Sequence, residues 1–137
     1  MSLLDTDTLT LLMYGHERVG LRMRQADSPA ITIVSRIEIL QGRFASVLKA
    51  ANGHELELAL ARLARNEQFI APITVITFDA TAMAEFDRLR LDRKFKRIGR
   101  ADLLIAAIAL GHRATVVTRN LKHFRLIPGL ALDNWAD

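Results

Sequence analysis

The feature that most constrains this chain is an alternation of short β-prone runs with longer stretches of helical period. Ser2–Asp5, Ile31–Val34, Ile73–Thr77 and Thr115–Thr118 read as strands, and Leu130–Leu132 supplies a short fifth after the Pro128-Gly129 turn. Between them the apolar residues recur at three- and four-residue intervals. Thr6–Met13 and Glu17–Gln25 form one such stretch, broken at Gly15. Ile37, Leu40, Phe44, Val47 and Leu48 form the next, which runs to a stop at Asn52-Gly53. Glu55–Phe69, Asp79–Phe95 and the almost wholly apolar Ala101–Leu110, closed by Gly111, follow. Strands alternating with helices build βα units with right-handed crossovers, so the expected fold is α/β around a mostly parallel sheet of four to five strands.

At 137 residues, with no repeat, low-complexity segment or linker, the chain is expected to form one domain over residues 1–137. The absence of cysteine excludes a disulfide scaffold, a thiol nucleophile and thiolate metal ligation. The longest apolar stretch, Leu103 to Leu110, falls well short of the roughly 20 residues that a membrane span needs, which leads to the expectation of a cytoplasmic protein with no membrane partner.

In an open parallel sheet, ligands bind outside the carboxyl ends of the strands. Asp5 ends the first strand, Glu38 follows the second, Asn120 follows the fourth, and Asp102 opens the helix that leads into the fourth. The topology therefore carries four residues from distant parts of the chain to one edge. Each alone also reads as local structure. Asp5 can cap the first helix, Glu38 can answer Ser35 in a capping box, and Asn120 can belong to a turn. Convergence is what local structure does not require. Three carboxylates within about 5 Å of one another would repel by roughly 3 kcal/mol per pair at an effective dielectric near 20. Oxygen ligands of this kind suit Mg²⁺ or Mn²⁺, which could activate water against a phosphodiester. His16, His54, His112 and His123 have no zinc-ligand spacing and read as surface or turn residues, with His123 set apart by its nearness to Asn120.

The formal net charge is +4, and fifteen of the nineteen basic residues are arginine, the side chain best suited to phosphate. The densest run is Arg88, Arg90, Arg93, Lys94, Lys96, Arg97 and Arg100. It reads as a solvated helix face, a phosphate track or a docking face for an acidic partner, with Arg93, Lys94, Arg97 and Arg100 as the candidate contacts. Phe44, Phe69, Phe86 and Phe95 fall at core-like helical positions, leaving no evident platform for stacking bases.

Four segments in order carry a resemblance. They are Leu4-Asp5-Thr6-Asp7, the stretch Ser35-Arg36-Ile37-Glu38-Ile39-Leu40-Gln41-Gly42, then Ile98-Gly99-Arg100-Ala101-Asp102-Leu103-Leu104, and Val117-Thr118-Arg119-Asn120 leading to Phe124, Pro128-Gly129 and Trp135. The chain resembles PIN-domain proteins, and among them the VapC-type ribonuclease toxins of toxin–antitoxin pairs. The resemblance implies a three-layer α/β/α fold and a metal-dependent endoribonuclease acting on RNA such as tRNA or rRNA. It also implies a cognate antitoxin and a homodimer. Asp5, Glu38 and Asp102 match the family's acidic Mg²⁺ or Mn²⁺ ligands, and Asn120 falls at its fourth position, which is often aspartate. Asp7 and Thr118 stand where they could support the ligands from behind. Two alternatives stay open at this level: a catalytically silent PIN-like module that binds RNA or protein, and a haloacid-dehalogenase-type phosphatase suggested by Asp5-Thr6-Asp7-Thr8 alone.

Overall fold

The computed structural model describes all 137 residues. Five strands form one all-parallel sheet: β1 (Ser2–Leu4), β2 (Pro29–Thr32), β3 (Thr74–Ile76), β4 (Thr115–Val117) and β5 (Ala131–Asp133), in the order β3-β2-β1-β4-β5. Seven helices connect and flank them: α1 (Thr6–Met13), α2 (Glu17–Gln25), α3 (Ile33–Lys49), α4 (Gly53–Ile70), α5 (Ala80–Leu91), α6 (Arg100–His112) and the single turn α7 (Leu121–Phe124).

Strand periodicity divides the core into two layers. Leu3, Ala30 and Val116 point to one face, where they meet α5 and α6 through Leu89, Ile105 and Ile108. Their neighbours Leu4, Ile31 and Val117 point to the other, against Leu9 of α1, Val19 of α2, Ile70 of α4 and Trp135. The result is the expected α/β/α sandwich. No helix is long and apolar enough to cross a membrane.

Several local expectations are corrected. β2 ends at Thr32 and α3 begins at Ile33, two residues before the anticipated end of the strand, because the Thr32 side chain accepts a hydrogen bond from the Ser35 N–H and caps the helix. The Ser35–Glu38 capping box therefore does not form. Asn52 starts α4 rather than stopping α3, its side chain accepting from the Glu55 N–H at 2.9 Å. Asp79 caps α5 as expected, but the helix stops at Leu91, and Asp92 opens a separate 3₁₀ turn at Arg93–Phe95. The last strand lies one residue later than anticipated, at Ala131–Asp133.

Gly111 does not close α6. The left-handed position belongs to Arg113, with φ of 52°, and Gly111 is needed for close packing instead. A Cβ there would lie 2.8 Å from the Thr81 hydroxyl and 3.1 Å from the Ala82 nitrogen, so α6 can approach the start of α5 only without a side chain at this point.

Candidate active site at the switch point of the sheet

The chain turns from β1 to β2 on one side and later fills β4 on the other, so the crevice beyond β1 and β4 is the topological switch point. Leu4 is in register with both Ile31 and Val117. Asp5 is the next residue, and its N–H bonds the Val117 carbonyl at 3.0 Å. This fixes the backbone from which its side chain projects. The carboxylate caps α1 by accepting from the Thr8 N–H at 2.9 Å, so the capping role read from the sequence is real.

Capping does not exhaust Asp5. Its side chain is almost wholly buried, and burial pushes the carboxyl above its ordinary range. Hydrogen bonds from the Thr118 hydroxyl and from Thr8 pull it partly back, while the nearby charge of Asp7 pushes it up again. Thr118, itself fully buried at the end of β4, also accepts the Asn120 N–H at 2.9 Å.

Asp102 sits in the first turn of α6, whose N-cap Gly99 offers no side chain to the helix end. The next turns, from Leu103 to Ala109, are buried almost throughout, which holds Asp102 on a rigid support. Its carboxyl is raised first by burial and then by the negative charges of Asp5 and Glu38, with a smaller push from exposed Asp7. His123 is the one opposing influence among its main perturbers. None of the four carboxylates takes part in an ion pair.

Glu38 reaches this group from the second turn of α3. The Thr6 hydroxyl donates to its Oε1 at 2.5 Å and lies 3.1 Å from the hydroxyl of buried Ser35. Neither Thr6 nor the contact with Ser35 was singled out in the sequence, since both depend on the approach of α1 to α3. Asn120 is less committed to the cluster: its amide nitrogen lies 2.9 Å from Nδ1 of His123, and the turn read there from the sequence is the helical turn α7.

Asp5, Glu38 and Asp102 thus belong to one electrostatic neighbourhood, with Asn120 joined to it through Thr118 and His123, although no three carboxylate or imidazole side chains surround a common point closely enough to hold an ion in this conformation. Glu38 is turned to Thr6, and the Asn120 amide to His123. The donor chemistry fits a hard divalent cation: oxygen ligands alone, three of them anionic, and two raised carboxyls with no cationic side chain paired to them.

Outside the cluster, Arg88 and Arg90 are paired with Glu85 and Asp87 on α5. Arg93, Lys94, Arg97 and Arg100 are exposed and form no ion pair, and the Arg100 guanidinium stacks 5.3 Å from the Phe86 ring centre. The aromatic expectation holds for Phe95, which is buried, but fails for Phe44 and Phe69, which are exposed on the α3–α4 hairpin. Tyr14 is also exposed, at 71%.

An all-parallel three-layer fold with a carboxylate cluster at its switch point is an arrangement to which sequence similarity gives a family. The PIN domain pattern matches residues 3–130. The chain belongs to the PIN domain family, among its VapC-type ribonuclease toxins. It is 36% identical over 108 residues to "Ribonuclease VapC2" of Rickettsia felis, covering 77% of this chain and 73% of the relative. It is 34% identical over 93 residues to the "tRNA(fMet)-specific endonuclease VapC" of Salmonella typhimurium, covering 66% of this chain and 70% of the relative. Among solved structures, the complex of VapBC2 from Rickettsia felis bound to a promoter DNA fragment aligns with a TM-score of 0.78 and 27% identity, covering 98% of both chains. DNA-bound VapBC from Salmonella typhimurium aligns at 0.76 and 28% identity, covering 98% of this chain and 97% of the other. This assignment removes the basis for the haloacid-dehalogenase reading.

Proposed function

We propose that this protein is a metal-dependent endoribonuclease, the toxin of a cytoplasmic toxin–antitoxin pair, and that Asp5, Glu38 and Asp102, with Asn120, hold Mg²⁺ or Mn²⁺. The observation that carries this reading is the grouping of Asp5, Glu38 and Asp102 at the switch point, near enough for the charges of Asp5 and Glu38 to raise the Asp102 carboxyl, with none of the three in an ion pair. Perturbed carboxyls grouped in a crevice are characteristic of functional sites.

When bound, the divalent ion supplies Lewis acidity that activates water and neutralises charge on the leaving oxygen. The protein's part is orientation. Thr8 and Thr118 fix Asp5, Thr6 holds Glu38, and the buried body of α6 fixes Asp102. In the hydrolysis a water oxygen forms a bond to phosphorus, the phosphorus–oxygen bond to the departing nucleotide breaks, and a proton ends on the leaving oxygen. Thr118 supports the cluster through its hydrogen bond to Asp5, and Asp7 adds negative charge that a bound cation would offset.

RNA is the substrate class that the similarity to VapC ribonucleases favours, with tRNA preferred on the strength of the relatives named for it. A cognate antitoxin is favoured by the similarity to VapBC assemblies, and a homodimer accords with the same family. Ile37, Phe44 and Leu48 recur on one face of α3 and are 49%, 53% and 72% exposed, an apolar stripe suited to the antitoxin. Arg93, Lys94, Arg97 and Arg100 remain candidate contacts for RNA or that partner.

The test is cleavage of a mixed tRNA and rRNA pool by antitoxin-free protein in Mg²⁺, Mn²⁺ or EDTA, beside Asp102→Asn. Cuts that need metal and vanish in the variant support the reading. Binding without turnover would favour the silent module, and cuts equal in both proteins would remove Asp102 from the chemistry.

A further inference from the structure

The groove that leaves the acidic cluster is basic and carries an exposed aromatic ring. Its first section runs from Thr6 and Glu38 past Gly42 to Tyr14 and Arg43, and the next continues from Tyr14 and Arg43 to Arg62 and Arg65. A third section extends along the α3–α4 seam to Lys49, with Glu55 the one carboxylate on its wall. Arg43 is common to all three. On α3, Glu38 and Arg43 are five residues apart, roughly 7.5 Å along the axis, or about two nucleotide steps of a strand.

Arg43 is built into place without being neutralised. Its Nε donates to the Asn66 side chain at 2.6 Å and its Nη2 to the Tyr14 hydroxyl at 2.5 Å, so the guanidinium joins α3 to α4 and to the end of α1. Both partners are neutral, and Nη1 makes no further side-chain bond. Arg43, Lys49, Arg62 and Arg65 have no carboxylate partner within ion-pairing distance, in contrast to Arg88 and Arg90 on α5. A half-buried guanidinium held in one orientation by neutral groups, beside further unpaired cations, is suited to phosphate oxygens. The Tyr14 ring offers the π-face against which a base can stack. At Gly42 an added Cβ would meet nothing within 4 Å, so the floor between cluster and cations is open.

We propose that this groove is the track of the RNA strand on one side of the scissile bond. Arg43, Arg62 and Arg65 hold successive phosphates, and Tyr14 stacks on a base near the cut. The inference rests on the endoribonuclease reading and assigns its substrate a path. The antitoxin stripe Ile37–Phe44–Leu48 lies on the opposite side of α3 at helical spacing, so the two surfaces are separate.

The experiment measures binding of unfractionated tRNA and of a short oligouridylate, in EDTA, across about 50 to 200 mM salt. It compares wild type with Arg62→Gln/Arg65→Gln, the same pair plus Arg43→Gln, Tyr14→Ala, and the already paired Arg88→Gln/Arg90→Gln as control. Arg62 and Arg65 make no side-chain hydrogen bond, so the double variant tests the track even if loss of Arg43 loosens the hairpin. The expected result is a salt slope lower by about 1.4 in the double variant and about 2 in the triple, at roughly 0.7 per lost single-strand phosphate contact. Tyr14→Ala weakens binding about tenfold. The control matches wild type. If wild type cuts RNA but the double and triple variants keep its slope and affinity, the track is wrong and the nuclease reading stands. If the variants lose a co-expressed antitoxin while binding RNA normally, the groove belongs to that protein and the proposal is overturned. If wild type neither binds nor cuts RNA, both readings fall.

Discussion

Thr6 on α1 donates its hydroxyl hydrogen to Glu38 on α3 at 2.5 Å, and this bond ties the residue after Asp5 to the carboxylate from the neighbouring helix. The contact joins two parts of the cluster that are 32 residues apart. It also satisfies a Glu38 oxygen in a region where Asp5 and Asp102 supply only negative charge.

Thr6→Val should therefore leave the fold intact but let Glu38 swing. The expected loss in single-turnover cleavage is about tenfold, the equivalent of roughly 1.4 kcal/mol, the scale of a hydrogen bond to a charged group. Thr6→Ser should restore most of the rate. Wild-type rates in Thr6→Val would mean that Glu38 needs no positioning from α1.

Asp102→Asn should separate activity from stability. Burial and the charges of Asp5 and Glu38 raise the Asp102 carboxyl, so its ionised form opposes folding in the absence of metal. The amide should abolish cleavage yet raise the melting temperature in EDTA, modestly, because Asp102 is only partly buried and water screens the repulsion. A lower melting temperature would show that the carboxylate is a structural element.

The same charges set a pH dependence for the chelated protein. Asp5 and Asp102 have folded-state values above 3.8, so between 3.8 and those values the folded chain binds more protons than the unfolded chain. Stability therefore grows as pH falls through the raised values and declines as pH rises through them. Asp79 and Asp137 are lowered by hydrogen bonds, so their contribution is present above 3.8 and lost as pH falls through their folded values, weakly because both are exposed. Thermal melts in EDTA from acid to neutral pH should show a maximum on the acid side, with a shallower decline in Asp102→Asn. A stability that only rises toward neutrality would contradict the electrostatic account.

Gly111→Ala should cost about 1–3 kcal/mol, since the new methyl meets the Thr81 hydroxyl and the backbone at the start of α5. Cleavage per folded molecule should not change, because the contact lies at the end of α6 away from Asp102. Denaturant titration and active-site-normalised rates check the two halves of this expectation.

The alternation of β-branched runs and helical periods made the layers and the parallel sheet readable, because burial on both sheet faces and on one helix face leaves different periods in a sequence. The placement of Asp5 and Asp102 at the switch-point edge followed from topology alone. What was less legible depended on choices between similar local groups. Ser35 and Thr32 are both credible caps, and only the backbone at Thr32, extended at φ −89° and ψ 160°, decides for it. Asn52-Gly53 carries signals for both an end and a beginning, and the Asn52 side chain serves the helix that follows. Phe44 has the period of a core residue, yet the α3–α4 hairpin extends beyond what the sheet can cover and leaves it exposed. Thr6 and Tyr14 carried no signal because their roles arise from neighbours on other helices.

Asp5, Glu38 and Asp102 are proposed to hold one cation although their side chains do not close on a common point in this conformation. Calorimetric titration of antitoxin-free protein with Mn²⁺ at neutral pH, beside Asp102→Asn, tests it most directly. Saturable binding is expected in wild type, with affinity at least about tenfold weaker in the variant. Absence of Mn²⁺ binding to wild type, or equal binding to both proteins, would contradict it.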